Sequence, residues 1–225
     1  MPTTSNYEAA RHNMVEYQIR CCKVLEPELL DMIESLPREE YLPKQLQSLA
    51  YMEGHVPLPC NQEMLSPLQE ASIVQSLNLT GTERVLEIGT GTGFLTTMLA
   101  MRSAEVISCE LHEELASLGR INLQAHGVSN ATVVHVNAMD SEELATSGIS
   151  GPFDVIVITA ALNEIPDHIK ALLTKSGQMV AFIGTNPVVS LVHLDFNGVS
   201  CTRTALFETL LQDMEGLPTT REFIF

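Results

Sequence analysis

Hydrophobic positions along the chain recur with two different periods, and the period changes near residue 83. From Tyr7 to Arg20 and again from Glu26 to Pro37, apolar residues recur at helical spacing. After residue 83, short apolar runs alternate with amphipathic segments, a pattern typical of βαβ units around a parallel sheet. The sequence therefore predicts an N-terminal helical segment (1–80) packed on an α/β core (81–225), as one structural domain overall.

Five strands and four helices are predicted in the core, and a hairpin after them. The strands are Arg84 to Ile88, Glu105 to Cys109, Thr132 to Val136, Phe153 to Thr159 and Gln178 to Gly184. The helices are Phe94 to Met101, Glu113 to His126, Ser141 to Thr146 and Pro166 to Leu173. Right-handed crossovers bring the carboxyl ends of parallel strands to one edge of a sheet, so ligand-binding residues are expected there. The segments Val188 to Phe196 and Val199 to Phe207 predict a β-hairpin with a primed turn at Asn197-Gly198.

A proline-rich loop is expected from Tyr41 to Pro67, with a helix directly after it. Ser66-Pro67-Leu68-Gln69 matches a capping box, in which Ser66 is the N-cap and Gln69 lies at the third helical position. The helix is expected to run to about Leu77.

The run Val85-Leu86-Glu87-Ile88-Gly89-Thr90-Gly91-Thr92-Gly93 joins an apolar strand to a helical pattern through three alternating glycines. Glycines let the chain turn with positive φ and let backbone N–H groups approach a ligand. A dinucleotide fingerprint would require glycine where Phe94 stands, and the acidic Glu87 would repel phosphates. This loop resembles the S-adenosylmethionine loop of class I methyltransferases, whose cofactor carries a sulfonium and an ammonium group and no phosphate.

Composition narrows the class of protein. With 12 basic and 28 acidic residues the net charge is −16, and the basic residues are scattered singly, so we expect no nucleic-acid substrate. The five cysteines show no metal-ligand spacing, and we expect reduced thiols and no metal. The longest apolar run, Val155 to Leu162, is too short to span a bilayer, and the polar start resembles no signal peptide. We therefore expect a cytoplasmic protein without a membrane partner; the oligomeric state stays open.

The strand ends supply the candidate cofactor residues. Glu110 can accept both hydroxyls of a ribose, or alternatively serve the first turn of the next helix. Asn137 can recognise adenine or be a turn asparagine, and Asp140 is a second candidate whose alternative is a helix N-cap. Glu87 is expected to have an electrostatic or water-mediated role near the cofactor's ammonium group; its alternative is a solvated strand-end carboxylate. The full predicted set is Glu87, Gly89, Thr90, Gly91, Gly93, Glu110, Leu111, Asn137 and Ala138.

Several segments outside the glycine loop resemble the protein-L-isoaspartate O-methyltransferase family, over about residues 10 to 185. They are Met14 to Arg20 (MVEYQIR), Leu36 to Pro43 (LPREEYLP), Ala50-Tyr51 with Val56-Pro57-Leu58, Pro152 to Ala161 (PFDVIVITAA) and Ile165-Pro166. The resemblance implies a mostly parallel, seven-stranded, Rossmann-like class I methyltransferase fold. It also implies S-adenosylmethionine-dependent methylation of the free carboxylate of isoaspartyl residues in damaged proteins or peptides.

The chain departs from the family at the substrate side. Where the family has a serine hydroxyl near the transferred methyl, this chain has Leu65, which donates no hydrogen bond. The predicted catalytic residues are Ser66, displaced by one position, and Thr159 at the end of a strand; each also has a structural explanation, as a helix cap and as a β-branched strand residue. Two alternatives stay open, namely a divergent methyltransferase with another substrate and a catalytically silent S-adenosylmethionine-binding protein.

Overall fold

The computed structural model of the protein describes residues 4–217. Its helices are α1 (Thr4–Met14), α2 (Pro27–Ser35), α3 (Pro67–Leu77), α4 (Phe94–Ala100), α5 (Glu113–Ala125), α6 (Ser141–Thr146) and α7 (Asp167–Lys170). Its strands are β1 (Val56–Pro57), β2 (Glu63–Met64), β3 (Arg84–Ile88), β4 (Glu105–Glu110), β5 (Ala131–His135), β6 (Phe153–Leu162), β7 (Leu173–Thr185), β8 (Val188–Phe196) and β9 (Cys201–Thr209). Short 3-10 turns and one wide turn, Val15–Ile19, connect the N-terminal elements.

Seven strands form one sheet in the order β5-β4-β3-β6-β7-β8-β9. The five predicted strands pair in parallel, while β8 runs antiparallel to both β7 and β9. The first strand of this sheet, β3, has β4 and β5 on one side and β6 to β9 on the other. The strand order therefore reverses between β3 and β6. In open α/β sheets, ligands bind outside the carboxyl ends of the strands at such a reversal.

Alternating residues of the central strands fill two separate cores. Val85 of β3 and Val155 of β6 face the N-terminal helices, with α4 on the same side. The next residues along, Leu86 and Ile156, face α6 and α7 on the other side of the sheet. This alternation follows from the period of two along a strand, and burial on both faces explains why the strands are continuous apolar runs.

The first core joins the N-terminal segment to the sheet. Buried side chains from α1, α2 and α3 lie in one continuous cluster with those of β3, β6 and β7. The predicted loop from Tyr41 to Pro67 contains 3-10 turns and the two-residue antiparallel pair β1–β2.

The predicted primed turn at Asn197-Gly198 is wrong. The strands β8 and β9 are joined by four residues, 197–200, and within that loop only Gly198 has positive φ (+83°), whereas a type I′ turn needs two such residues. The Asn197 side chain accepts hydrogen bonds from the backbone N–H groups of Val199 and Ser200, which closes the wider loop instead.

The predicted helix from Pro166 to Leu173 is also too long. The helix α7 is a single turn, and Leu173 already begins β7. The backbone carbonyl of Leu172 accepts a hydrogen bond from Phe153 N at 2.8 Å, and Leu173 is paired with Phe153. The apolar pattern of this segment suits a helix, but pairing with the start of β6 makes its last residues part of a strand.

Candidate active site

A cleft opens at the carboxyl ends of β3, β4 and β6, where the strand order reverses. It encloses about 910 Å³ of space, including its open mouth. Its wall is made by the glycine loop, the ends of β4 and β6, the segment after β5, the residues around Leu65, and the described C-terminal residues 211–215. Carboxyl groups of Glu63, Glu70, Glu110 and Glu215 line it, and none of its described lining residues is lysine or arginine. Such a cleft favours a ligand with positive charge.

The glycine loop closes tightly because two of its glycines leave no room for a side chain. A Cβ on Gly89, where φ is +101°, would lie 2.1 Å from Thr159 Oγ1. Gly93, at φ +82°, is the N-cap of α4 and packs against the backbone of Gly119, with a Cβ contact of 3.3 Å. Gly89, Thr90 and Gly91 line the cleft, whereas Gly93 lies behind it and acts through the shape of the loop.

Glu110 holds the glycine loop from the next strand. Its Oε2 accepts a hydrogen bond from Gly91 N at 2.9 Å, and its Oε1 accepts one from His112 N at 3.0 Å. Glu110 and Leu111 both line the cleft. Each carboxylate oxygen has a second lone pair, so Glu110 can still accept the two hydroxyls of a ribose.

Glu87 lies beneath the loop and is fully buried, outside the lining of the cleft. Its Oε2 accepts hydrogen bonds from Thr96 Oγ1 at 2.5 Å and Ser108 Oγ at 2.6 Å, while Oε1 has no partner among the described residues. Because the Ser108 proton points to Glu87, the Thr90 hydroxyl donates to Ser108 at 2.5 Å. Burial raises the pKa of Glu87 to about 8 against the hydrogen bonds that favour its charged form. Glu87 is therefore a buried anchor of the loop, and its predicted electrostatic or water-mediated role near a cofactor ammonium stays a prediction.

The two predicted catalytic hydroxyls are already engaged. Ser66 Oγ accepts from Gln69 N in the predicted capping box, which the structure confirms, and Ser66 is absent from the described cleft lining. Thr159 lines the cleft, but its hydroxyl donates to the carbonyls of Ile88 and Gly89, each at 3.0 Å. The Thr159 proton is therefore used by backbone carbonyls, whereas the Ser66 hydroxyl only accepts in the cap and keeps its own proton. Both catalytic assignments stay predictions. Leu65 does line the cleft at the expected position.

A buried pair of side chains, Arg38 and Glu70, lies beside Leu65, and the sequence did not predict it. Arg38, fully buried, pairs through Nη1 with Glu70 Oε2, while its Nη2 donates to the Leu65 carbonyl at 2.6 Å. Burial lowers the pKa of Arg38 and raises the pKa of Glu70 to about 7. The signal was present, since Glu70 shares the apolar face of α3 with Ile73, Val74 and Leu77.

The C-terminal strap, residues 210–217, forms part of the wall of the cleft and was not predicted. Its backbone pairs with Ala161, whose N–H donates to the Gln212 carbonyl at 2.8 Å. The Asn137 side chain donates to the carbonyl of Gly216 at 2.9 Å and accepts from Met139 N at 3.0 Å. Asn137 and Ala138 line the cleft, so the predicted adenine site lies where the strap meets the segment after β5. Asp140 caps α6 through hydrogen bonds from Glu142 N and Glu143 N, its alternative explanation.

The sheet order, the carboxylate at the end of the second parallel strand and the glycine loop together define a class I methyltransferase of the Rossmann-like kind. Profiles of known families then identify the group within this class. The profile described as Protein-L-isoaspartate(D-aspartate) O-methyltransferase matches residues 9–205, and the chain belongs to that family.

Individual relatives agree with this assignment. The chain is 34% identical over 186 residues to the protein-L-isoaspartate O-methyltransferase of Methanoculleus marisnigri, covering 82% of this chain and 81% of that protein. It is 30% identical over 190 residues to the enzyme of the same name from Koribacter versatilis, covering 84% and 83%. A Plasmodium falciparum protein named for the same family has a crystal structure in complex with S-adenosyl-L-homocysteine. It superposes on this chain with a TM-score of 0.74 at 19% identity, and the match covers 92% of this chain and 97% of that one. That last likeness shows a shared fold.

Proposed function

We propose that this protein is an S-adenosylmethionine-dependent carboxyl methyltransferase that methylates the free carboxylate of isoaspartyl residues in damaged proteins or peptides. The observation that carries the proposal is the family match over residues 9–205, which includes the glycine loop, Glu110 and the substrate-side segment. The charge and the lining of the cleft supply independent support.

The cleft suits the cofactor in charge and in shape. S-adenosylmethionine bears a sulfonium and an ammonium group, and the lining carboxylates of the cleft match that charge. Glu110 would offer acceptors for the ribose, and Leu111 and Ala138 would offer apolar contacts to the adenine. Asn137 would read the adenine edge, which requires its hydrogen bond to Gly216 to be exchanged for one to the base. Thr90, tied through Ser108 to Glu87, fixes the backbone of the loop.

A carboxylate acceptor needs little chemical activation. It is ionised at neutral pH and is already a nucleophile, so no general base is required. Bound S-adenosylmethionine would supply an electrophilic methyl: one carboxylate oxygen forms a C–O bond as the C–S bond breaks, giving a neutral ester and a neutral thioether. The protein then contributes alignment of the two partners and exclusion of water.

The walls around Leu65 provide that exclusion. Leu65, Met64 and Leu58 are each less than a tenth exposed and line the cleft on the substrate side. Their apolar surface removes water from the place where opposite charges neutralise, which favours the transition state over the separated ions.

A paired assay tests the proposal. Purified protein is incubated with labelled S-adenosylmethionine and either an isoaspartyl peptide or the aspartyl peptide of the same sequence. We expect base-labile label on the isoaspartyl peptide alone, and none with Gly91→Val, because Gly91 has φ +54°, where a β-branched residue is strained. Equal labelling of both peptides, or none above the Gly91→Val level, would contradict the proposal.

The proposal includes a cytoplasmic location, which stays a prediction. Among residues 4–217, helices are all too short or too polar to cross a membrane.

A further inference from the structure

The substrate side of the cleft contains a carboxyl group that the proposed reaction does not yet use. Glu70, in the first turn of α3, is 3% exposed and lines the cleft next to Leu65. Its Oε2 is paired with Arg38, whereas its Oε1 has no hydrogen-bond partner among the described residues. Unlike Glu87 Oε1, the Glu70 Oε1 atom is not among the buried unpartnered atoms of the described residues, so it is accessible to a ligand in the cleft.

Arg38 fixes both Glu70 and Leu65. Its Nε donates to the Ala50 carbonyl at 2.8 Å, its Nη2 to the Leu65 carbonyl, and its Nη1 to Glu70. The guanidinium also lies 4.8 Å from the centre of the Phe94 ring, on α4 next to the glycine loop. One buried side chain thus ties the substrate-side loop to the element that follows the cofactor loop.

An incoming substrate carboxylate meets few donors on this wall. Leu65 has no polar side-chain atom, Ser66 lies outside the described cleft lining, and the Thr159 hydroxyl donates to backbone carbonyls. The nearby side chain of Glu63 is acidic as well and is paired with His55. A carboxylate placed beside an ionised Glu70 would be repelled, whereas two carboxyl groups that share one proton attract each other.

We propose that Glu70 receives the substrate carboxylate as a neutral carboxylic acid, donating its proton in a hydrogen bond to the oxygen that is not methylated, while Arg38 positions it. The proton stays on Glu70 throughout. Burial keeps this carboxyl neutral at pH values where exposed carboxylates are charged, with a pKa of about 7. This inference rests on the proposed isoaspartyl methylation. It names Glu70 as the residue that binds the substrate carboxylate next to Leu65.

The charged and titratable groups around Glu70 come from several elements. Those that face it, its partner or the same cleft wall are Arg38, Tyr51, Glu63, Glu87 and Glu110. Glu87 titrates in a similar range, with a pKa of about 8, but it acts beneath the cofactor loop. Measuring kcat/KM for the peptide at saturating S-adenosylmethionine separates the two, since only Glu70 lies on the peptide side of the cleft.

The test compares pH profiles of the wild type and Glu70→Gln with an isoaspartyl peptide. The substrate carboxylate is fully ionised above about pH 6, so it adds no slope there. We expect wild-type kcat/KM to fall above pH 7, approaching about tenfold per pH unit, as Glu70 loses its proton. In Glu70→Gln the amide oxygen accepts from Arg38 and the NH₂ donates at every pH, so its profile stays flat and exceeds the wild type at pH 9. Glu26→Gln, which alters another arginine-paired carboxylate remote from the cleft, keeps the wild-type profile.

Two further measurements do not depend on that variant's turnover. The infrared difference spectrum between wild type and Glu70→Gln should show the carbonyl band of a protonated carboxylic acid at pH 6, lost by pH 9. Leu65→Ser, which places a hydroxyl donor on the same wall, should weaken the fall of kcat/KM with pH.

The outcomes are distinct. A wild-type profile that is flat, or that rises with pH and loses its rise in Glu70→Gln, overturns this inference and leaves methylation of isoaspartate intact; a rise would identify Glu70 as a base. Absence of the carboxylic acid band at pH 6 also overturns it. Absence of isoaspartyl methylation by the wild type at every pH, with S-adenosylhomocysteine still bound, overturns the proposed function and this inference with it.

Discussion

Replacing Glu87 by glutamine should remove part of the pH dependence of the protein's stability. Glu87 is fully buried, and its pKa rises from 4.5 to about 8 on folding, mainly because burial penalises its charged form. Between these two pH values the folded protein keeps a proton that the unfolded chain has lost. The stabilisation is therefore complete below pH 4.5 and is lost as pH rises through about 8.

The magnitude follows from the size of the shift. A separation of 4.5 to about 8, at about 1.4 kcal/mol per pH unit, gives on the order of 5 kcal/mol as an upper bound. Glu87→Gln stays neutral and its amide oxygen can still accept from Thr96 and Ser108. We expect the free energy of unfolding of the wild type to fall more steeply from pH 5 to pH 9 than that of the variant.

Urea unfolding at constant ionic strength across that range measures the difference. Glu70 adds a similar slope to both proteins, so subtracting the two curves isolates Glu87. Glu105→Gln, an exposed carboxylate on the neighbouring strand, serves as the control and should run parallel to the wild type. Parallel curves for wild type and Glu87→Gln would refute the reasoning that a neutral, buried Glu87 anchors the loop.

Three further variants test the cleft. Glu110→Gln should weaken S-adenosylhomocysteine binding by about tenfold or more in calorimetry, because an amide cannot accept from both Gly91 N and His112 N and an unpaired donor costs about 1–3 kcal/mol; affinity equal to wild type would contradict its place in the site. Gly119→Ala should also lower that affinity while the protein stays folded by circular dichroism, since its Cβ would lie 2.7 Å from Thr90 Cγ2 and overpacking costs about 1–3 kcal/mol. Thr159→Val should reduce the free energy of unfolding by about 1 kcal/mol through its lost hydrogen bond, with an unchanged peptide KM; a large rise in that KM would restore Thr159 as a substrate donor.

The sheet was largely predictable because its signals are local. The strand β3 and the helix α6 have the predicted bounds, and the capping box at Ser66 needed only four consecutive residues to recognise. The ends of β6 and β7 were not predictable, because each extends through pairing with a partner distant in sequence.

The cleft was predictable on its cofactor side and much less on its substrate side. Three glycines and a strand-end carboxylate are recognisable by spacing, and Glu110 does contact the glycine loop. Glu70 was missed because its partner Arg38 is 32 residues away, and the strap because nothing local shows that residues 210–217 return to the cleft. The sequence also did not show that the Glu87 side chain turns inward to Thr96 and Ser108.

The most direct test of the central claim puts both peptides in one tube. An isoaspartyl peptide and its aspartyl isomer, distinguished by an isotope label, are incubated together with the protein and S-adenosylmethionine, and mass spectrometry locates the methyl group. The account predicts a methyl ester on the free α-carboxylate of the isoaspartyl residue, and an unmodified aspartyl peptide. A methyl group on an amine, on both peptides, or on neither while S-adenosylhomocysteine binds would contradict it.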